Sequence, residues 1–143
     1  MTNMTDEQRK SLALEYFSRL DRGEDFLGLF APTAQVLVPK WGIATGTGEI
    51  AEAFTPMGGK VAAITHGYAY FNYVHSGDVL VVEGTSSGRT ADGAEWQANG
   101  TTHRGRWCDV FEIRGGLIQR LFIYLDPDYG DADAASYPWL PRS

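Results

Sequence analysis

Apolar residues recur at helical spacing early in the chain and at alternate positions from Ile64 onward, so helices are expected first and strands afterwards. Thr5-Asp6-Glu7-Gln8 reads as a capping box, with Thr5 as the N-cap and Gln8 three residues on. Leu12, Tyr16, Phe17 and Leu20 then share one helix face, and Gly23 ends that helix. Phe26, Leu27, Leu29 and Phe30 predict a short second helix ending near Pro32. Gln35-Val36-Leu37-Val38 predicts a strand closed by Pro39. A third helix is expected from Glu49 to about Phe54, opened by Gly46-Thr47-Gly48 and ended by Pro56 and Gly58-Gly59.

The later alternation predicts two hairpins. The first pairs Tyr68 to Val74 with Val79 to Thr85 around Ser76-Gly77; the second pairs Trp107 to Ile113 with Leu117 to Leu125 around Arg114-Gly115-Gly116. Trp96 to Thr102 predicts a further long strand. With Tyr70 opposite Glu83, the residues His66, Tyr68, Tyr70, Glu83 and Thr85 share one sheet face. With Arg114 opposite Leu117, Trp107, Asp109, Phe111, Phe122, Tyr124 and Asp126 share one face, and Cys108, Val110, Leu121, Ile123 and Leu125 the other. Both faces are apolar enough to need cover: the helices on one, a second copy of the chain on the other. The expectation is an α+β domain, a curved antiparallel sheet wrapped by about three N-terminal helices around an apolar pocket, forming a homodimer through its convex face.

The 143 residues fit one domain, with a core from about residue 7 to 129 and a tail whose Tyr137-Pro138-Trp139-Leu140 end is expected to dock. Net charge is −6, from 12 basic and 18 acidic residues, and no basic cluster offsets it, which argues against a nucleic-acid partner. The polar stretch Met1 to Lys10 is unlike a signal peptide, and no apolar run approaches a membrane span, so a soluble cytoplasmic protein with no membrane partner is expected. Cys108 is the single cysteine and cannot form an internal disulfide. His66, His75 and His103 lack ligand spacing, and Gly46-x-Gly48 is too short for a nucleotide fingerprint, so neither a metal nor a cofactor is expected.

The strings Gly77-Asp78-Val79-Leu80-Val81-Val82-Glu83-Gly84-Thr85, Ala91-Asp92-Gly93-Ala94-Glu95-Trp96 and Asp109-Val110-Phe111-Glu112-Ile113-Arg114-Gly115-Gly116-Leu117-Ile118 resemble the strand pattern of the SnoaL-like branch of the nuclear transport factor two-like superfamily. Ile123-Tyr124-Leu125-Asp126 resembles its closing strand. The resemblance runs from about Glu7 to Tyr129 and implies the cone fold. Its members include polyketide cyclases, ketosteroid isomerases, scytalone dehydratases, limonene epoxide hydrolases and non-catalytic proteins, so the site must decide the function.

Against the isomerase pattern, Tyr16 falls on the helical Tyr position and Asp109 on the strand Asp position that together bind a developing oxyanion. The isomerase's proton-moving carboxylate is replaced by Val38. Asp126 matches the closing-strand Asp of the epoxide hydrolases, but Glu83-Gly84-Thr85 breaks the rest of that triad. His66, Tyr68 and His103 are of the types that dehydratases use to move protons, and Asp109 and Asp126 are both candidates for the cyclase acid/base.

From the residues themselves, Asp109 lies amid Trp107, Cys108, Val110 and Phe111, where a carboxyl keeps its proton more tightly; the bland alternative is a strand Asp bonded to a loop. Asp126 before Pro127 also reads as a turn opener, and His66 as a structural histidine. Glu83 would pair with His66, Arg89 or Arg106, and Trp41, Met57, Trp107 and Tyr124 would line the pocket or pack in the core. The expected function is cofactor-independent proton transfer (isomerisation, cyclisation or dehydration) on a small, mostly apolar molecule with a carbonyl or hydroxyl. In it Asp109 and Tyr16 bind the oxyanion, and His66 or Asp126 moves the proton. The rival is a non-catalytic ligand-binding or dimerisation domain, to which Val38 points.

Overall fold

The computed structural model describes residues 3–98 and 103–137. Helix α1, Asp6–Arg22, starts on the expected capping box: the Gln8 amide donates to Thr5 Oγ1 at 3.1 Å and the Thr5 amide to Gln8 Oε1 at 2.9 Å. It ends at Gly23, whose φ of 66° places it in the left-handed region. Ala13, Tyr16 and Phe17 are buried on its inner face. Arg9 is buried on the same face, with every direction of its guanidinium occupied: Nε donates to the Ile113 carbonyl, Nη1 to the Met4 carbonyl and Nη2 to Asp78.

The expected second helix shrinks to a 3₁₀ turn, Leu27–Leu29, whose first amide donates to Asp25 Oδ1 at 2.9 Å. Strand β1, Phe30–Val38, then runs through Pro32. Its pairing skips from Phe30 to Gln35, so the proline's missing N–H falls where no ladder bond is needed. Strand β2, Gly42–Thr45, folds back onto β1. Helix α2, Gly46–Lys60, continues past Pro56, because that residue and Glu52, whose carbonyl it leaves unpaired, lie on the solvent side. The described residues thus hold two α-helices where three helices were expected.

Among the described residues eight strands form one curved sheet, in the order β2, β1, β8 (Leu117–Leu125), β7 (Arg106–Arg114), β5 (Val79–Thr90) and β3 (Val61–His66), with β4 (Asn72–Ser76) and β6 (Glu95–Gln97) also paired to β5. Its pairs are antiparallel apart from β1 with β8, so the sheet is mixed and not purely antiparallel. The expected strand from Tyr68 to Val74 is replaced by β3 (Val61–His66), a 3₁₀ turn (Tyr68–Tyr70) and β4 (Asn72–Ser76). Both strands pair with β5, Val79–Thr90, which is the spine of the sheet. Its first half lies between β4 and β7 (Arg106–Arg114), its second half between β3 and β6 (Glu95–Gln97). At the changeover stands Gly84, where a Cβ would come 2.8 Å from both the Phe71 and Trp107 rings. The expected continuation from residue 99 to 102, and the tail beyond Tyr137, lie outside the described residues.

Two registers differ from expectation. In the first hairpin Asn72, not Tyr70, faces Glu83, so Tyr68 and Tyr70 leave the sheet and Tyr70 is 78% exposed. His66 opposes Ser86, which removes it from the face of Glu83 and Thr85. In the second hairpin β7 pairs with β8, Leu117–Leu125, and Arg114 faces Leu117 as predicted. The register then shifts by one at Gln119, so that Glu112 faces Arg120 and Asp109 faces Ile123. A single extra residue inverts every side chain beyond it. Leu121, Ile123 and half-buried Leu125 therefore point inward with Trp107, Asp109 and Phe111, while Phe122 and Tyr124 turn outward with Cys108 and Val110.

The tightest backbone approach is at Gly88, where a Cβ would overlap the Ala63 carbonyl oxygen and the Trp96 ring. Gly88→Ala must push β3 or Trp96 away and is expected to cost about 1–3 kcal/mol. Gly28→Ala, with nothing near its Cβ, serves as the neutral comparison. Equal urea midpoints for the two variants would contradict this packing.

Candidate functional site

Between the inner sheet face, α1 and the end of α2 lies a cavity of about 500 Å³, lined by Tyr16, Phe17, His66, Trp107, Asp109 and Tyr129 among others. Most of its wall is apolar, including Phe54, Met57, Ile123 and Leu125. Asp109 reaches it because strand alternation puts it on the face of Trp107 and Phe111. It is 3% exposed, and its Oδ1 has no hydrogen-bond partner. Burial pushes its carboxyl well above the usual range, which favours the protonated form. Tyr16 sits beside it on α1, its hydroxyl raised by burial, then by the Asp109 charge and by Tyr129. Tyr129 is pushed up to about 12 by burial, Asp109 and Asp126.

A second polar group closes the cavity at the end of α1. Asp21 accepts from the His66 amide at 3.0 Å, from His66 Nδ1 at 2.5 Å and from the Tyr68 hydroxyl at 2.7 Å. Burial acts to raise the Asp21 carboxyl, but the hydrogen bonds and charge of His66 and the Tyr68 bond outweigh it and hold the pKa below the usual value. The Tyr68 hydroxyl is raised in turn, by burial and by Asp21. The imidazole packs on Phe17 and Trp107, with ring centroids 5.0 and 5.5 Å away. With Nδ1 bonded to Asp21, the ring is fixed in orientation.

Asp109, Tyr16, His66, Met57 and Trp107 therefore share one cavity, whereas Tyr68, 38% exposed, does not line it and reaches the site only through its bond to Asp21. The remaining candidates lie elsewhere. Asp126 is half exposed at the strand end, where its Oδ1 accepts from the Asp128 amide at 2.9 Å: it opens a turn. Glu83 is exposed on the outer face, and accepts from Asn72 rather than His66. Tyr124, 50% exposed, is carried to that face by the register shift at Gln119. Trp41, 40% exposed, lines an outer cleft and not this cavity.

The sequence reading missed Asp21 and Tyr129. Asp21 looked like the polar end of a helix, yet an acid in a last helical turn opposes the helix dipole and so calls for a local partner. Tyr129 stands in a tail rich in Asp and Ala, where only its aromatic character marks it. Among the described residues, no group of three or more His, Cys, Asp or Glu is placed to hold a metal ion, and no helix is long and apolar enough to cross a membrane.

Comparison with known proteins follows the same geometry. An NTF2-like protein of unknown function from Burkholderia pseudomallei superposes with a TM-score of 0.69 at 14% identity, covering 97% of this chain and 100% of that one. A Bacillus subtilis protein provisionally named an isomerase gives 0.69 at 16% identity, covering 96% and 100%. A Sinorhizobium meliloti protein provisionally named a polyketide cyclase gives 0.60 at 20% identity, covering 80% and 94%. At these identities the likeness is one of fold. A search of curated proteins by sequence finds no match. The SnoaL-like domain family matches residues 13–121, and the chain belongs to that family.

Proposed function

We propose that this protein catalyses cofactor-independent proton transfer, of the cyclase, isomerase or dehydratase kind, on a small and mostly apolar molecule bearing a carbonyl or hydroxyl. One observation carries this reading: a buried carboxyl with an unpaired oxygen and an imidazole oriented by a carboxylate line the same apolar cavity. His66 Nε2 takes a proton from a carbon beside the carbonyl, or from a hydroxyl. Charge then develops on the substrate oxygen, where protonated Asp109 and the Tyr16 hydroxyl donate hydrogen bonds to it. Val38, which replaces the isomerase carboxylate, is buried in the core and offers no base, so His66 takes that role. The same valine favours the rival reading, a binding domain that holds its ligand without turning it over.

The test separates the two readings. Asp109→Asn is expected to weaken binding of 2-naphthol, a phenolate-like probe, by about tenfold or more, read by fluorescence titration. Asp21→Asn frees the His66 ring and is expected to suppress turnover while leaving that binding largely intact, at a stability cost of about 1–3 kcal/mol. Retained turnover in Asp21→Asn would remove His66 from the mechanism.

Asp109 also predicts a pH dependence. Its folded-state pKa lies above the unfolded value, so the folded protein holds an extra proton between the two. Its contribution to stability is full below the ordinary carboxyl range and is lost as pH rises through the raised pKa. Asp109→Asn abolishes that loss. Between about pH 5 and about pH 8 the variant should therefore lose less stability than the wild type in urea unfolding. Parallel losses would place Asp109 in water.

We also propose a homodimer through the convex face, on a corrected residue set. Leu121 and Ile123 belong to the core. The outer row runs Val74, Val81, Val110, Phe122, Leu37 and Ile43, each in register with the next across six strands. Val74 and Ile43 are 62% and 52% exposed. A continuous apolar row of this kind is a self-complementary surface for a two-fold contact. Light scattering is expected to give twice the 15.7 kDa of one chain, and Val110→Lys to give the single-chain mass. A monomeric wild type at high concentration would refute it.

A further inference from the structure

Behind the cavity wall lies a second, more open void of about 780 Å³. It meets the inner cavity at Met57, Val61 and Tyr129, which line both. Tyr129 is the aromatic residue of the three. It is 7% exposed, its ring stacks on Trp96 at 4.3 Å between centroids, and its hydroxyl pKa is raised by burial and by nearby Asp109. The tail holds it in place, with Asp128 accepting from the Ala132 and Asp133 amides.

The outer void carries an aromatic platform of its own. Trp41 lines it and remains 40% exposed. The turn that presents Trp41 is costly: Lys40 takes a φ of 70°, in the left-handed region that a residue with a Cβ rarely adopts. The Trp41 amide donates to the Val38 carbonyl at 3.1 Å, which fixes the turn. Among the described residues lining this void the charges are mixed, two lysines (Lys40, Lys60) against three aspartates (Asp92, Asp128, Asp133), so these residues hold no excess of positive charge to select an anion.

We propose that the outer cleft is the second half of the ligand site, and that the ligand is an elongated, uncharged, planar molecule. Its oxygenated ring lies beside Asp109, and its far ring crosses the boundary at Tyr129 and stacks on Trp41. This rests on the catalytic reading for the position of the oxygenated end. It adds the substrate's length and flatness, and gives Trp41 the task of measuring them. Trp41 touches ligand remote from the reacting atoms, so it sets specificity without taking part in proton transfer.

Fluorescence titration of wild type and Trp41→Ala with 2-naphthol and with 6-phenyl-2-naphthol tests the proposal. The wild type is expected to bind the longer probe more tightly. Trp41→Ala is expected to weaken the longer probe by about fivefold and leave 2-naphthol unchanged, with Trp41→Phe restoring part of the loss. Trp41 is a surface residue, so circular dichroism should show an unaltered fold. Equal effects on both probes, no effect on either, or no preference of the wild type for the longer one would each overturn the proposal. The effect of Asp109→Asn on 2-naphthol is independent of Trp41, so failure here leaves the catalytic reading standing, and failure there leaves the length dependence standing.

Discussion

The Asp21 carboxylate is the constraint on which the site depends. It lies in the last turn of α1, where the helix dipole disfavours a negative charge. Three donors compensate: the His66 amide, the His66 ring and the Tyr68 hydroxyl. Those donors come from the end of β3 and the turn after it, so neutralising one charge also fastens the helix to the sheet. It fixes the imidazole as well, since a ring bonded at Nδ1 and packed on Phe17 and Trp107 has little freedom left. Removing the carboxylate would loosen a helix end, a strand end and the ring together.

The cavity treats its two carboxyls in opposite ways. Asp21 has donors and is held ionised; Asp109 has burial alone and holds its proton. Environments that push two acids apart suit them to different roles, which on the proposed mechanism are an anion that supports a base and a neutral acid that donates. The apolar wall is part of that assignment. Water around Asp109 would lower its pKa and screen its effect on Tyr16, so Phe17, Trp107 and Ile123 keep the acid neutral by excluding solvent.

Where local rules decide, the fold was legible in the sequence. The capping box, Gly23 and the inner face of α1 follow from spacing, and alternation alone puts Asp109 beside Trp107 and Phe111. The failures have physical causes. Gln119 shifts a register without any compositional mark, because a bulge needs no special residue, and it exchanged the faces of Tyr124 and Leu125. Tyr68 and Tyr70 have strand propensity, but β5 pairs with β3 and β4 over separate halves, and the chain must cross between them in a turn. Pro56 was read as a stop, although a proline on a solvated face costs a helix only one bond that water can replace. Asp21 could not be chosen from the sequence because its partners lie 45 residues away.

Chemistry and shape come from different parts of this molecule. Asp109 is anchored in the middle of β7, a strand paired on both sides, and His66 is clamped at the end of β3. Gly84 lets β5 pass close to the Trp107 and Phe71 rings, so the floor of the cavity has no slack. The remaining walls come from the end of α2, through Met57 and Gly58, and from the tail, through Tyr129. Those segments lie at the margins of the core. On the proposed mechanism, a change in Met57 or Tyr129 would alter which molecule fits, whereas a change in the sheet would alter what happens to it. A scaffold divided in this way can hold Asp109 and His66 fixed while its walls vary, so the fold alone does not assign a substrate.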